Sequence, residues 1–413
     1  MRKQSNPQPR QGIQLQQVMS SRDLQDQLMA SCKSAALTFV SELFREEVER
    51  LSGPKFSHKA PGQAWRGGND MTQVIAGGEK LSVKRPRLRD ENGEVQLSTL
   101  ARLQDQDIFD DAIKSRMIKG VATRNYEPVI ESWSDKLSVK KSTVSAAFVR
   151  ASKKDLDYIN TFDLSSYKFV AIMIDGVEVA GRSLIVPLGI TEKGDKLPLG
   201  LAEGDTENSV VIKDLLVQIR ERGFSFCASR GLAVTDGAKA IKKALKDVFG
   251  STVVVQRCWL HKLRNIQSYL PKEHHKQLWW RMKKMMGIVD HQVAKNEMAS
   301  LMKWLADISI DAEASLQESG SELLTVHELG IGGVLRKSLY STNPIESLIF
   351  GIRHRMARIK NWKSSKQKDQ IQRWMASSMI ESQKKMRRLR GHTQIEKLIT
   401  TLNKKVEQQE QSA

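Results

Sequence analysis

The stretch KFVAIMIDGV, Lys168–Val177, decides the fold. Phe169 through Ile174 and Val177 are apolar, and the length and β-branched content are those of a buried strand. A single carboxylate, Asp175, stands where the run breaks. A charge at the mouth of a buried strand is costly without a partner. The stretch therefore asks for a cation, a helix N-terminus or a metal ion beside Asp175.

Downstream, RSLIVPLGI (182–190) and KLPLGLAEG (196–204) are two further strand-like runs, separated by turns, which gives an antiparallel meander. ENSVVIKDLLVQIRERG (207–223) is an amphipathic helix stopped by Gly223. GLAVTDGAKAIKKALKDVFG (231–250) and STVVVQRCWLHKLRNIQSYL (251–270) each read as a strand running into a helix. Three antiparallel strands followed by two parallel ones with crossover helices is the ribonuclease-H-like order. The expected class is α/β: a ribonuclease-H-like catalytic core with a mixed five-stranded sheet, an α-helical insertion, and a mainly α-helical N-terminal DNA-binding region.

The remaining chain divides by texture. Residues 1–20 read as a disordered lead-in, basic at the start but with no apolar segment of a secretory signal. Residues 21–160 form an N-terminal dimerisation and DNA-binding region. Within it Asp23–Leu51 has helical spacing, HKAPGQAWRGGND (58–70) reads as loop, and Asn92–Gly93 marks a hairpin. Helical patterns over 107–154 fit a helix-turn-helix whose later helix carries Lys140, Lys141 and Arg150. The core occupies 165–270 and resumes at 339–390. A helical insertion spans 271–338, and 391–413 is an amphipathic tail. The tail and the early helix are candidates for dimerisation.

The 413 residues carry 66 Lys plus Arg against 47 Asp plus Glu, a formal charge of +19, which favours a polyanionic partner, nucleic acid first. Basic residues concentrate between Arg257 and Lys284, where Trp279 and Trp280 are expected to pack in a core, and between Arg353 and Arg390. Such runs neutralise phosphates and make binding salt-dependent. No apolar run reaches the roughly 20 residues of a membrane span. Three cysteines, few and odd in number, argue for a reducing compartment rather than a disulfide framework. The expected location is cytoplasmic, at the nucleoid.

Asp236 stands just after the fourth strand, in VTDGAK (234–239), so neighbouring strand ends bring it to Asp175. Glu346, in STNPIES (341–347), falls in the first turn of a helix that Thr342 or Asn343 can cap and that Pro344 suits. Carboxylates that close repel unless a cation lies between them. Magnesium, a hard ion that takes oxygen ligands, resolves the repulsion, with manganese as its substitute. Three such side chains can hold two ions about 3.5–4 Å apart for in-line phosphodiester displacement. Taken singly, Asp175 and Asp236 are turn residues and Glu346 a complement to a helix dipole. Their joint order favours catalysis.

With these residues the chain resembles the Mutator-type DDE transposases of bacterial insertion sequences, from about Lys80 to Arg358. The motifs are MIDGV, LGLAEGDTENS, VTDGAKAI, QRCWLHKLRNI and STNPIES. The resemblance implies an acidic triad at Asp175, Asp236 and Glu346, a Cys-x-x-His signature at Cys258 and His261, and an asparagine at Asn343. It also implies recognition of terminal inverted repeats, and DNA cleavage and strand transfer with Mg²⁺ or Mn²⁺. After the glutamate the family's Arg-rich segment is altered, although Arg353, Arg355 and Arg358 remain. Expected DNA contacts are Lys140, Lys141, Arg150, Cys258, His261, Lys262, Arg264, Asn343, Arg353, Arg355 and Arg358. The partners expected are duplex DNA, as element ends and target, and further copies of the chain. A silent DNA-binding relative and a nuclease without strand transfer are the alternatives.

Overall fold

The computed structural model describes residues 21–56, 64–76, 79–122, 141–359, 362 and 369–410. The disordered reading of 1–20, the helix expected over 123–137 and Lys140 lie outside them. Two compact units result, Met1–Met117 with Val121–Phe148, and Ile118–Gly120 with Val149–Ala413.

In the first unit, helix α1 (Ser21–Ser52) precedes strands β1 (Trp65–Ala76), β2 (Glu79–Asp90) and β3 (Gly93–Val95), then α2 (Ser98–Leu103) and α3 (Gln106–Ile118). The strands form an antiparallel sheet in the order β1-β2-β3, with the hairpin at Asn92–Gly93 as expected. The loop reading of 65–70 is corrected: these residues belong to β1. Gly67 and Gly68 break the alternation that marks a strand because the register shifts between Arg66 and Asn69, and Gly68 takes φ 92° at this bulge. Phe44 and Val48 of α1 pack on Val74, Leu81, Val83 and Leu88 of the sheet. Two of the basic residues on β2 are paired, Arg85 with Asp70 and Glu94, and Arg87 with Glu94.

Leu97, at the N-cap of α2, has no side-chain acceptor. Glu47 of α1 fills that role. Its buried carboxylate accepts from Ser98 N (2.8 Å), Thr99 N (2.9 Å) and Ser98 Oγ. A carboxylate at a helix N-terminus also complements the helix dipole.

The second unit opens with the later part of α4 (Lys141–Thr161). It continues through β4 (Phe169–Val179), β5 (Arg182–Thr191), β6 (Lys196–Pro198), β7 (Ala202–Glu203), α5 (Ser209–Glu221), β8 (Gly231–Thr235), α6 (Lys239–Phe249) and β9 (Val253–Arg257). The result is a mixed sheet in the order β6-β5-β4-β8-β9, with β7 paired to β5 as a sixth strand. β5 is antiparallel to β4 and β6, whereas β4, β8 and β9 run parallel. Ile172, Ile174 and Ala233 face α5 and α6, whose Ile212, Leu216, Ile219, Ile241 and Leu245 close one buried layer. Alternation sends Ala171, Met173 and Asp175 to the opposite face.

α7 (Trp259–Gln267), α8 (Lys272–Gly287), α9 (His291–Ala306) and α10 (Ile310–Glu318) follow. They gather Trp259, Leu263, Leu278, Met282, Leu301 and Leu316 into a separate core. The exposed edge of β9 is sealed by the segment after α10. Thr325 Oγ1 donates to Val255 O (2.6 Å), and the Gln256 amide bonds Leu323 O and Val326 N. Trp279 is partly buried against this core, but Trp280 is 56% exposed, which corrects the core reading of both. Adjacent helical positions point about 100° apart, so the face that buries Leu278 and Met282 cannot hold both rings.

Helices α11 (Thr325–Glu328) and α12 (Gly333–Leu339) lead to α13 (Asn343–Met356), α14 (Gln370–Gln383) and α15 (Ile395–Glu410). α13 packs on β4, and α14 on α13 and β6. Ile395, Leu398 and Leu402 of α15 are buried.

The contact from Glu47 to α2 generates a pH-dependent prediction. Burial raises its carboxyl pKa, but the hydrogen bonds from Ser98 and Thr99 outweigh that and bring it below the ordinary value. Its contribution is therefore fully present above the usual carboxylate range and is lost as pH falls through the lowered value. Glu47→Gln is expected to cost about 1–3 kcal/mol at neutral pH and to flatten that acid-side loss. Hydrogen exchange of α2 amides in the full chain across pH 3–7 checks it; unchanged protection in the variant would refute the capping role.

Candidate active site

β4 does not end at Asp175. It continues to Val179 and turns at Ala180–Gly181, so Asp175 lies within the strand, paired with Val186 of β5. What ends there is the other ladder, because β4 and β8 stay paired only as far as Ile174 and Thr235. Beyond that pair the parallel strands part, as at the carboxyl ends of parallel strands where α/β sheets bind ligands. Asp175 and Asp236 are the next residues on each. Both continue the alternation of Met173 and Val234, so both carboxylates project on the face covered by α13.

Asp175 Oδ1 accepts from Gly176 N (2.8 Å), and Asp236 Oδ1 from Ala238 N (2.9 Å). The second bond is the turn role that the sequence also allowed. A cleft of about 290 Å³ opens beside them. Glu178, Asp205, Thr206 and Arg353 line it together with the two aspartates. Gly204, Asp205 and Thr206 come from the LGLAEGDTENS motif, which carries the family resemblance.

The third carboxylate arrives on α13. Thr342 stands at its N-cap, but its side chain caps no backbone amide. Instead Thr342 Oγ1 lies 2.8 Å from Glu346 Oε1, 3.4 Å from His261 Nδ1 and 3.4 Å from Cys258 Sγ. The Thr342 amide itself donates to Cys258 Sγ (3.4 Å). Cys258 is the residue before α7, fixed by its own amide to Thr235 O (2.8 Å), and His261 is in the first turn of that helix. The N-termini of α7 and α13 are thus tied together through one sulfur atom. Glu346 does not line the cleft; it joins the cluster through Thr342, through His261 Nε2 at 3.8 Å and through its charge on Asp175.

Burial pushes Asp175 up to about 6; His261 and the Gly176 amide oppose the rise, and Asp236 and Glu346 add to it. His261 is raised by its hydrogen bond to Cys258, against burial, with further help from the charges of Cys258, Asp175 and Glu346. Burial raises the Cys258 thiol, but hydrogen bonds from His261 and Thr342 more than offset it, and the net shift is downward. Among the described residues neither lysine nor arginine forms an ion pair with Asp175, Asp236 or Glu346. Cys258, His261 and Glu346 also offer three ligand atoms within 4.8 Å of one another. A structural zinc site takes four.

The other expected contacts separate by burial. Lys141 and Arg150 on α4, Arg264 on α7, and Asn343, Arg353 and Arg358 on or just after α13 are exposed. Cys258 and Lys262 are buried; the Lys262 ammonium lines a cavity, where Glu318 and Ser315 hold it. Arg355 is turned inward, donating to Gly351 O and Ser382 Oγ, each at 2.7 Å. The functional reading of the sequence missed Thr342 as the link from Glu346 to His261 and Cys258, because these two lie 81 and 84 residues away.

The model of the Mutator family of transposases matches residues 8–368. The transposase for insertion sequence element IS6120 from Mycolicibacterium smegmatis is 26% identical over 247 residues, 58% of this chain and 74% of that protein. The transposase for IST2 from Acidithiobacillus ferrooxidans is 28% identical over 178 residues, 43% of this chain and 58% of its own length. The transposase for IS256 in transposon Tn4001 from Staphylococcus aureus is 24% identical over 335 residues, 78% of this chain and 83% of its own. No helix among the described residues is long and apolar enough to cross a membrane. On the extent of the family match, the chain belongs to the Mutator family of transposases.

Proposed function

We propose that this chain moves an insertion sequence by a DDE mechanism, binding terminal inverted repeats and catalysing metal-dependent DNA cleavage and strand transfer. The observation that carries the reading is the gathering of Asp175, Asp236 and Glu346 from three separated segments around one half-buried strand. The strand order and the mix of antiparallel and parallel ladders support a ribonuclease-H-like core.

The donor set fits Mg²⁺ or Mn²⁺. It offers hard carboxylate oxygens, all three on half-buried acids. Asp175, Asp236 and Glu346 would hold two such ions, which supply activation of a water or 3′-hydroxyl and stabilisation of the leaving oxygen. Thr342 orients Glu346 through its hydroxyl. The Cys258–His261 pair sets an imidazole of raised pKa facing Asp175 and Glu346, and its protonated form would limit their mutual repulsion. Arg353, two turns beyond Glu346 on α13, brings a guanidinium to the cleft for a phosphate oxygen. Exposed Lys141, Arg150, Arg264, Asn343 and Arg358 contact duplex DNA. Synapsis of two ends calls for at least two copies of the chain, working in the cytoplasm at the nucleoid.

Asp175→Asn, Asp236→Asn and Glu346→Gln are each expected to lower cleavage at least about 1000-fold, the loss of several kcal/mol of charge stabilisation. End binding should hold or tighten as negative charge is removed. Incubating labelled element ends with a target plasmid and Mg²⁺ checks this: cut ends without joined product would point to a nuclease, and an active Asp175→Asn would sink the assignment. Thr342→Val should reduce cleavage about 10–100-fold, as loss of a ligand-orienting contact does, whereas Thr342→Ser should retain most of it. Equal rates for Thr342→Val and wild type would remove the orienting role.

A further inference from the structure

On the far side of the Asp236–Gly237 turn lies a second cavity, about 470 Å³, lined by Lys239, Arg257, Lys262, Asn265, Tyr269 and Glu318 among others. Arg257 is the last residue of β9, paired with Thr235. Gly237, at φ 100°, gives its guanidinium room, since a Cβ there would overlap it. The side chains of Arg257 and Lys262 are 5% and 1% exposed. Both cations rest on the same oxygen, Glu318 Oε2, at 2.6 and 2.8 Å. Lys262 adds Ser315 O at 2.7 Å and a longer contact to Ser315 Oγ at 3.4 Å. Arg257 Nε is buried with no hydrogen-bond partner.

Two buried cations sharing one carboxylate leave positive charge desolvated and a donor unused, a costly state unless another anion completes it. Glu318 is 42% exposed and sits at the open side, where it can swing out. Asp311 also lines the cavity, but it is exposed and pairs with neither buried cation. Lys239 at the rim raises the balance to three cations against two acids.

We infer that this cavity is a phosphodiester-binding site, with Arg257, Lys262 and Lys239 as its cations and Glu318 as the resident stand-in that a DNA phosphate displaces. The fork of a guanidinium and an ammonium beside it suits the several acceptor oxygens of a phosphate. Because Gly237 links the cavity to Asp236, a strand held at the carboxylates runs its neighbouring phosphates into it. The inference rests on DNA being the substrate.

The test is binding of full-length protein to a labelled duplex across a KCl series in EDTA, so that no cleavage enters. Glu318→Gln frees both cations; it is expected to tighten binding about three- to tenfold and steepen the salt dependence by about one ion. Lys239→Gln, at an exposed position, should weaken binding and make the slope shallower by about one. A cooperative melt for each variant establishes folding. Glu318→Gln with unchanged affinity and slope would overturn the site, as would a Glu318→Gln that binds inorganic phosphate more tightly but DNA no better, which makes it a small-anion pocket. Wild type that binds no duplex would overturn the DNA reading itself, whereas wild type that binds while Glu318→Gln does not tighten removes only the cavity's role.

Discussion

The mutual repulsion of three carboxylates beside a half-buried strand is the constraint on which the rest of this molecule depends. Burial is the largest cause that raises the Asp175 carboxyl to about 6, and Asp236 and Glu346 push the same way. A fold concerned only with stability would place an apolar residue there. This one surrounds the site with compensations instead. Amides of Gly176 and Ala238 each take an aspartate oxygen, a hydroxyl takes Glu346, and a raised imidazole faces Asp175 and Glu346. The N-termini of α7 and α13 both come to this end of the sheet, where their partial positive charge favours acids.

Cys258 explains how the two helices are held in register. Its sulfur is buried between β9 and α13 and accepts the Thr342 amide, while its own amide bonds Thr235 O on β8. The sheet, the helix bearing His261 and the helix bearing Glu346 therefore meet at one residue. Such a contact fixes the positions of side chains that must lie within ångströms of each other, and it does so from behind the acids rather than among them.

The chain's positive charge is also organised by this arrangement. The N-terminal sheet spends Arg85 and Arg87 on Asp70 and Glu94, so these are not free for phosphates. Arg257 and Lys262 lie across a single glycine from Asp236, held by Glu318. Opposite charges thus flank the Asp236–Gly237 turn, with an acidic cleft on one side and a basic cavity on the other. On the proposed function, a polyanion held at the first would find a counter-charge at the second.

Much of this was legible in the sequence because it is local. Periodicity marked β4, α5 and α6, turn chemistry marked the β2–β3 hairpin, and the carboxylates could be placed at strand and helix ends. The family motifs named the acids, and the match over residues 8–368 bears out the family itself. Local information failed where glycine disguised a bulged strand, as at Gly67 and Gly68, and where Asp175 seemed to end a strand that continues four residues further. Only the tertiary structure decided that the β4–β8 ladder opens at Asp175, that Thr342 meets Cys258 and His261, and that Lys262 turns inward to Glu318. Their partners lie far away in the chain, up to 84 residues for Thr342 and Cys258. Periodicity reports which face a residue takes, whereas what stands opposite that face is set by packing between distant segments.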